Sequence, residues 1–273
     1  MRRIDMRVRA GDLDVAYDRL LPHVRGGLHP LPDGDEVVLV ALGERAELPP
    51  PPRLAELAGD VLVGDPVERD AGDLAVALSE LLASWDIGGR VVLRTPEHPP
   101  APPDRIDVVL AREMGFGTGA HPTTRQCIEL LLDVEPGGAF ADLGCGAGAL
   151  SIVAFKLGYA PVVGVDLLDR ICANAARNGD LNGIDADFLT RDLMALDSLD
   201  TRVAAMNVSD LDVHVHVAAT PMPEIEWLIV SGLSHPAQLE HALACYADAG
   251  FTETRRIDRE GWPAVLLQAP PRR

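Results

Sequence analysis

Lysine is almost missing from this chain. Of its 24 basic residues all but Lys156 are arginine. Arginine codons are rich in G and C, so the bias follows from base composition and carries no functional signal. Cysteine is sparse as well. Cys127, Cys145, Cys172 and Cys245 form no C-x-x-C pair, which argues against a zinc ribbon or a disulfide framework and leaves four reduced thiols and no expected metal site. No apolar run is long enough to cross a bilayer. The opening MRRIDMRVRAGDLD lacks the apolar segment of a secretory signal, so no membrane partner and a cytoplasmic location are expected. Long-period repeats are missing too. Positive charge is in deficit: 42 acidic residues give a net charge of -18. The acid excess runs through the whole chain, against the broad attraction for nucleic acid that a basic surface provides, and no direct nucleic-acid partner is expected. It suits a basic or amine-bearing partner, and solubility alone explains it equally well.

What the chain does have is one informative stretch, FADLGCGAGALSIVAFKLGYAPVVGVD, at 140–166. Residues 140–143 read as a buried strand, 144–148 as a glycine turn, 149–157 as a helix stopped by Gly158, and 162–165 as a second buried strand ending on Asp166. Glycines let the backbone approach a ligand closely. The helix that follows aims its free N–H groups and positive dipole end over the turn. An acid at the tip of the next strand is placed to accept from ribose hydroxyls. Together these predict a site for an adenosine-containing cofactor.

The spacing of Gly144, Gly146 and Ala149 also fits the dinucleotide pattern G-x-G-x-x-G/A, so the glycines alone do not choose between a nicotinamide cofactor and S-adenosylmethionine. Three further positions favour S-adenosylmethionine. Asp142 precedes the first glycine by two residues, where an acid can face the amino group of a methionine moiety. Asp192, in LTRDL after a third strand, is expected to reach an adenine edge. Asn207 follows a fourth strand, where a polar side chain would lie beside the reacting methyl group. His214 and His216 in DVHVHV alternate as in a strand and read as two solvated or partly buried histidines rather than a metal pair.

Along the chain, residues 4–8 and 36–42 read as strands, 12–24 as a helix, 54–58 as a short helix and 61–63 as a short strand, with the prolines at 49–52 breaking the chain. These predict a small α+β domain over 1–95, of roughly ferredoxin type. A helix is expected over 73–85. The proline-rich run 96–104 reads as a stiff linker. Residues 105–273 then alternate strands and helices, as in a Rossmann-like α/β domain with a mostly parallel sheet. Its ligand would bind at the carboxyl ends of the strands. Before the glycine turn, the loop MGFGTGAHPTTRQ at 114–126 is expected to close over the cofactor.

FGTGAHPTT, followed by ADLGCGAGALSIVAFKLG and GVD, resembles the PrmA family, the ribosomal protein L-eleven methyltransferases. The similarity covers about 106–267 and includes Asn207, SGL and YADAGF. The resemblance implies a class I methyltransferase domain behind a small substrate-recognition domain. It implies S-adenosylmethionine held by Thr124, Gly144, Asp166 and Asn207, with Phe116, Thr118 and His121 shaping the cover over its methionine end. It implies methylation of amines, at lysine side chains or an N-terminus, of a protein such as a ribosomal large-subunit protein. A monomer is expected. Where the family commonly has Asn-Ile-Leu and then a regular helix, this chain has Asn207-Val208-Ser209 and DLDVHVHVAATPMPEIEW. A small-molecule amine as acceptor and a non-catalytic cofactor-binding module therefore stay open beside the protein methyltransferase.

Overall fold

The computed structural model describes residues 2–20, 23–24, 28–33, 36–43, 48–69, 84–96, 98–111, 119, 121–233, 235–259 and 261–271. The chain divides into two compact units, Met1–Ala83 and Ser84–Arg273. Most of the helix expected over 73–85 lies outside the described residues, and its last residue, Trp85, is in a strand. No helix among the described residues is long and apolar enough to cross a membrane.

In the first unit, strand β1 (Arg2–Arg9) leads through a 3-10 turn into helix α1 (Leu13–Leu20), followed by β2 (Leu28–Asp33), β3 (Glu36–Gly43), α2 (Pro51–Ala58) and β4 (Val67–Arg69). The strands form an antiparallel sheet in the order β2-β3-β1-β4, the split β-α-β arrangement. Alternation puts Ile4, Met6 and Val8 of β1 into a core with Leu39, Ala41, Leu13, Leu20 and Leu54. Two local readings are corrected. Pro51 and Pro52 open α2 instead of ending a segment, because a helix's first turn has no use for their missing N–H groups. Residues 61–63 are no strand: Gly59–Val61 is a 3-10 turn, Leu62 makes a single bridge to Val8, and the fourth strand comes later.

The second unit begins earlier than the proline run suggests. Strands β5 (Trp85–Ile87) and β6 (Val91–Arg94) form a hairpin, and β6 pairs in parallel with β7 (Ile106–Val109). The proline segment is thus the connection between two paired strands of one unit, and the expected boundary at 96–104 gives way to a division at Ala83 and Ser84. Arg94 fixes that connection. Its guanidinium forks onto both oxygens of Asp107 at 2.6 and 2.7 Å and also donates to the His98 carbonyl at 3.0 Å. The same ion pair holds the Asp107 carboxyl below its ordinary pKa.

The main sheet is seven-stranded. Its strands are β8 (Phe140–Leu143), β9 (Val162–Asp166), β10 (Asp187–Thr190), β11 (Val203–Asn207), β12 (Trp227–Ser231), β13 (Thr252–Arg259) and β14 (Trp262–Gln268). They lie in the order β10-β9-β8-β11-β12-β14-β13. The first five are mutually parallel and β14 runs antiparallel to both of its neighbours. Interleaved with them are α3 (Pro122–Leu131), α4 (Ala149–Leu157), α5 (Asp169–Leu181), α6 (Leu211–Ala219) and α7 (Pro236–Asp248). Period-two alternation splits the core into two layers. Val203, Ala205, Ala264 and Leu266 face α3 and α4. Ala204, Met206, Val265 and Leu267 face Val217 of α6 and Tyr246 of α7. This doubly covered, mostly parallel sheet is the Rossmann-like arrangement expected of residues 105–273.

Candidate functional site

The carboxyl ends of β8, β9 and β11 carry Leu143, Asp166 and Asn207 and open toward one edge of the sheet. Between β8 and α4 the chain turns on Gly144, Gly146 and Gly148, at φ 77°, 53° and 82°, a region L side chains rarely adopt. Gly144 and Cys145 donate their N–H groups to the Val165 carbonyl at 2.8 and 2.9 Å, which pins the turn to β9. A Cβ on Gly144 would lie 2.6 Å from Val208 Cγ2. The turn therefore brings bare backbone close under Val208 at the start of α4.

Asp142 lies below that turn and is 1% exposed. One carboxylate oxygen accepts from the Ser151 N–H at 3.0 Å and from its hydroxyl at 2.7 Å; the other has no hydrogen-bond partner. Burial pushes its pKa up to about 6, against the pull of the Ser151 bonds. Asp166 accepts from Gly146 N–H with one oxygen and from Leu168 N–H with the other, at 3.1 and 3.3 Å. It thereby braces the turn, and its oxygens keep lone pairs for ribose hydroxyls. Asp192 is exposed at the end of β10 and caps a 3-10 turn by accepting from Met194 N–H at 2.8 Å.

Asn207 ends β11 opposite Ser231 of β12. Its side-chain oxygen is buried without a partner, as is the hydroxyl of Thr124 near the start of α3. His121 is the N-cap of α3. Its Nδ1 lies 2.8 Å from the Thr123 hydroxyl and 3.4 Å from the Thr123 nitrogen. An N-cap acceptor must be unprotonated, and burial, with the Arg125 charge adding to it, drives the His121 pKa down to about 4. The imidazole meets the Trp262 ring edge-on at 4.4 Å. Arg125 donates to the Gly119 carbonyl at 2.6 Å and lies 4.2 Å over the Trp85 ring. The end of the 114–126 loop is thus tied to β5 and β14. Phe116 and Thr118 lie outside the described residues.

Several contributors were not singled out from sequence. Asn178 of α5 donates to the Ala147 carbonyl of the glycine turn and accepts from Ala111 N–H, both at 2.9 Å. It joins the turn to the strand that enters the 114–126 loop. Its signal, asparagines at 178 and 182 on one face of α5, was there to read. The DVHVHV segment is corrected: it is helix α6, opened by Asp210, which accepts from Asp212 N–H at 2.9 Å. Strand-like alternation misled because valines dominate it, while the capping aspartate was the stronger local signal. Residues two apart on a helix are turned by ~200° from each other. His214 accordingly bonds the Val208 carbonyl and His216 the Leu196 carbonyl. No group of three or more metal-ligating side chains occurs among the described residues.

Buried oxygens of Asp142, Thr124 and Asn207 have no hydrogen-bond partner, the turn after β8 is built on positive-φ glycines, and Asp166 stands at the tip of β9. These features suit S-adenosylmethionine, with its ammonium group, methionine backbone and ribose.

Comparisons with known proteins agree. Residues 77–270 match the family described as "Ribosomal protein L11 methyltransferase (PrmA)". A ribosomal protein L11 methyltransferase of Geobacter metallireducens is 31% identical over 72% of this chain and 66% of its own length. One from Burkholderia multivorans is 32% identical over 64% of this chain and 58% of its own. The matched part thus spans less than two thirds of these relatives' length. A crystal structure of a ribosomal protein L11 methylase from Lactobacillus delbrueckii subsp. bulgaricus superimposes with a TM-score of 0.60 at 23% identity, covering 68% of this chain and 98% of that one. At that identity it shows the fold.

Proposed function

Because this chain belongs to the ribosomal protein L11 methyltransferase family, we propose that it transfers methyl groups from S-adenosylmethionine to amino groups of ribosomal protein L11. The observation that carries this reading is the unpartnered, buried side-chain oxygen of Asn207 at the tip of β11, beside the glycine turn.

The bound sulfonium supplies a methyl group already open to nucleophilic attack, so the protein's task is placement. Holding nucleophile, methyl carbon and sulfur in line is worth roughly 7–11 kcal/mol. Asn207 accepts a hydrogen bond from the incoming neutral amine and turns its lone pair toward the methyl carbon. Thr124 and Asp142 hold the methionine end, Asp166 the ribose and Asp192 the adenine edge. His121, the N-cap of α3, shapes the cover that keeps water out. The acidic surface favours approach of a lysine-rich protein over an acidic one. The first unit, with its own core, recognises that protein. The segment in which this chain departs from the family's pattern still folds as a capped helix, which supports the family's acceptor over a small-molecule amine.

The direct experiment incubates the protein with methyl-labelled S-adenosylmethionine and purified ribosomal protein L11, in parallel with free lysine and a metabolite extract. Mass increments of whole methyl groups on L11 alone are expected. Label only in small molecules would reverse the choice of acceptor, and cofactor binding without any transfer would establish a binding module.

A further inference from the structure

The residue after Asn207 is held more tightly than a loop residue needs to be. The Val208 N–H donates to the Ser231 carbonyl at 3.1 Å. Its carbonyl lies 2.8 Å from His214 Nε2. Its side chain covers Gly144. Its backbone lies flat on Gly232, where an added Cβ would come within 2.6 Å of the Val208 nitrogen and closer still to its carbonyl. Gly232 has φ 101°, so a side chain there would be strained as well as obstructed. Both backbone polar groups, the side chain and one face of Val208 are therefore fixed. Three of these constraints come from the chain's own path, and the fourth comes from one side chain of α6.

A carbonyl only accepts, so the ring nitrogen facing it carries the proton. His214 is 1% exposed, and its Nδ1 has no hydrogen-bond partner. Burial lowers its pKa, against the Val208 and Ser231 backbone and the Asp210 charge, which favour protonation. The ring is thus neutral, with hydrogen on Nε2. It packs edge-on near Tyr246 of α7, ring centroids 6.5 Å apart. A bare apolar residue would fill this place between α6 and α7 without a buried, unsatisfied nitrogen, and such a nitrogen is costly.

We propose that His214 is a positioning residue for methyl transfer: by holding the Val208 carbonyl it sets the orientation of Asn207 toward the methyl group and the acceptor amine. The link runs through one residue: the Val208 carbonyl lies in the peptide plane that follows Val208, and Asn207 lies on the plane that precedes it, whose N–H is held by Ser231. Rotation of the plane that carries the Val208 carbonyl propagates to the Asn207 side chain across one residue. His214 is 1% exposed and spends its ring N–H on backbone, so its expected effect falls on the reaction step and not on binding. This inference rests on the methyltransferase reading above.

The test compares wild type, His214→Leu and His214→Gln in the full chain. Glutamine keeps an N–H donor at nearly the same place, and leucine keeps the bulk without it. Expected for His214→Leu is a fall in kcat on L11 of about tenfold or more, with the dissociation constant for S-adenosylmethionine and the KM for L11 within about threefold of wild type, and recovery of most of the rate in His214→Gln. An unchanged kcat in His214→Leu, or parallel losses of rate and cofactor binding in both variants, overturns the proposal. A readout that needs no acceptor runs beside it. Nitrogen NMR of the wild type should show His214 as the Nε2–H tautomer at every pH from 7 to 9, and the Asn207 side-chain amide as one sharp pair that broadens in His214→Leu and not in His214→Gln. Failure of wild type to methylate L11 refutes the acceptor reading alone. The Asn207 line shape then decides on His214, and an unaltered one refutes it.

Discussion

Asn207 and Asp142 carry the sharpest consequences at the scale of single residues. Removing the Asn207 amide should lower turnover by on the order of 10²-fold, since misplacement of a reacting group costs about that much. Binding of S-adenosylmethionine, measured by calorimetry, should change far less in Asn207→Ala. Equal losses in both would refute an orienting role. Asp142 gives a prediction with a definite sign. Its folded pKa of about 6 lies above its ordinary value of 3.8, so between those values the folded chain binds more protons than the unfolded one, and this group's contribution to stability declines as pH rises. Replacing it with asparagine removes that decline. The stability of Asp142→Asn relative to wild type, from urea unfolding at several pH values, should therefore rise with pH by up to about 1.4 kcal/mol per unit between pH 4 and 6 and then level off. A flat difference would show that the carboxyl is not protonated in the fold. His121 acts in the opposite sense. Its pKa is depressed to about 4, so its stabilising contribution is complete above the unfolded value of 6.5 and is lost as pH falls toward 4.

Among the elements, the turn from β8 into α4 and the loop after β11 form one interlocked unit. Gly144→Ala would place a methyl group against Val208 at a positive φ, and the strain of that backbone region alone is ~1–2 kcal/mol. A loss of S-adenosylmethionine affinity of about tenfold or more is expected, and calorimetric titration reads it. Asn178→Ala leaves the part-buried Ala111 N–H and the buried Ala147 carbonyl without their partner, and the buried carbonyl alone costs about 1–3 kcal/mol when left unpaired. Its melting temperature should drop. This level also shows how much could be read in the sequence. The strands at 140–143, 162–166 and 203–207 and helix α4 were legible because apolar runs, glycine stops and strand-tip acids agree there. Helix α6 was not, because V-H-V-H-V satisfies the strand period while Val213 and Val217 pack into the same core as Met206 and Tyr246. Strand β2 was missed because Pro30 and Pro32 argue against a strand. They are tolerated there because β2 lies at the edge of its sheet, where one row of N–H groups needs no partner. The strand-tip positions of Asp166 and Asn207 were legible for the same reason as the strands. The bracing by His214, Gly232 and Asn178 was not, since it depends on contacts between elements distant in sequence.

For the whole molecule, the relevant fact is that each unit has a core of its own. Residues 84–273 expressed alone should keep S-adenosylmethionine affinity within a few-fold of the full chain and lose methylation of intact L11. Retained transfer to the intact protein would remove the first unit from substrate recognition. The proline run misled at this scale. Prolines exclude regular structure, but they do not say whether the segment separates two units or joins two strands of one. Only the pairing of β6 with β7 and the grip of Arg94 on Asp107 decide that.

The position of β14 has a consequence for how this protein comes into being. It is threaded between β12 and β13 although both precede it in the chain. While the polypeptide is being synthesised, β13 has no partner to pair with and β12 has an open flank until residues 262–268 emerge. The same segment carries Trp262, on which His121 rests and whose carbonyl Gln126 grips. A growing chain therefore cannot assemble its ligand cradle early and wait: until translation has passed Gln268, a nascent molecule should be protease-sensitive and blind to S-adenosylmethionine.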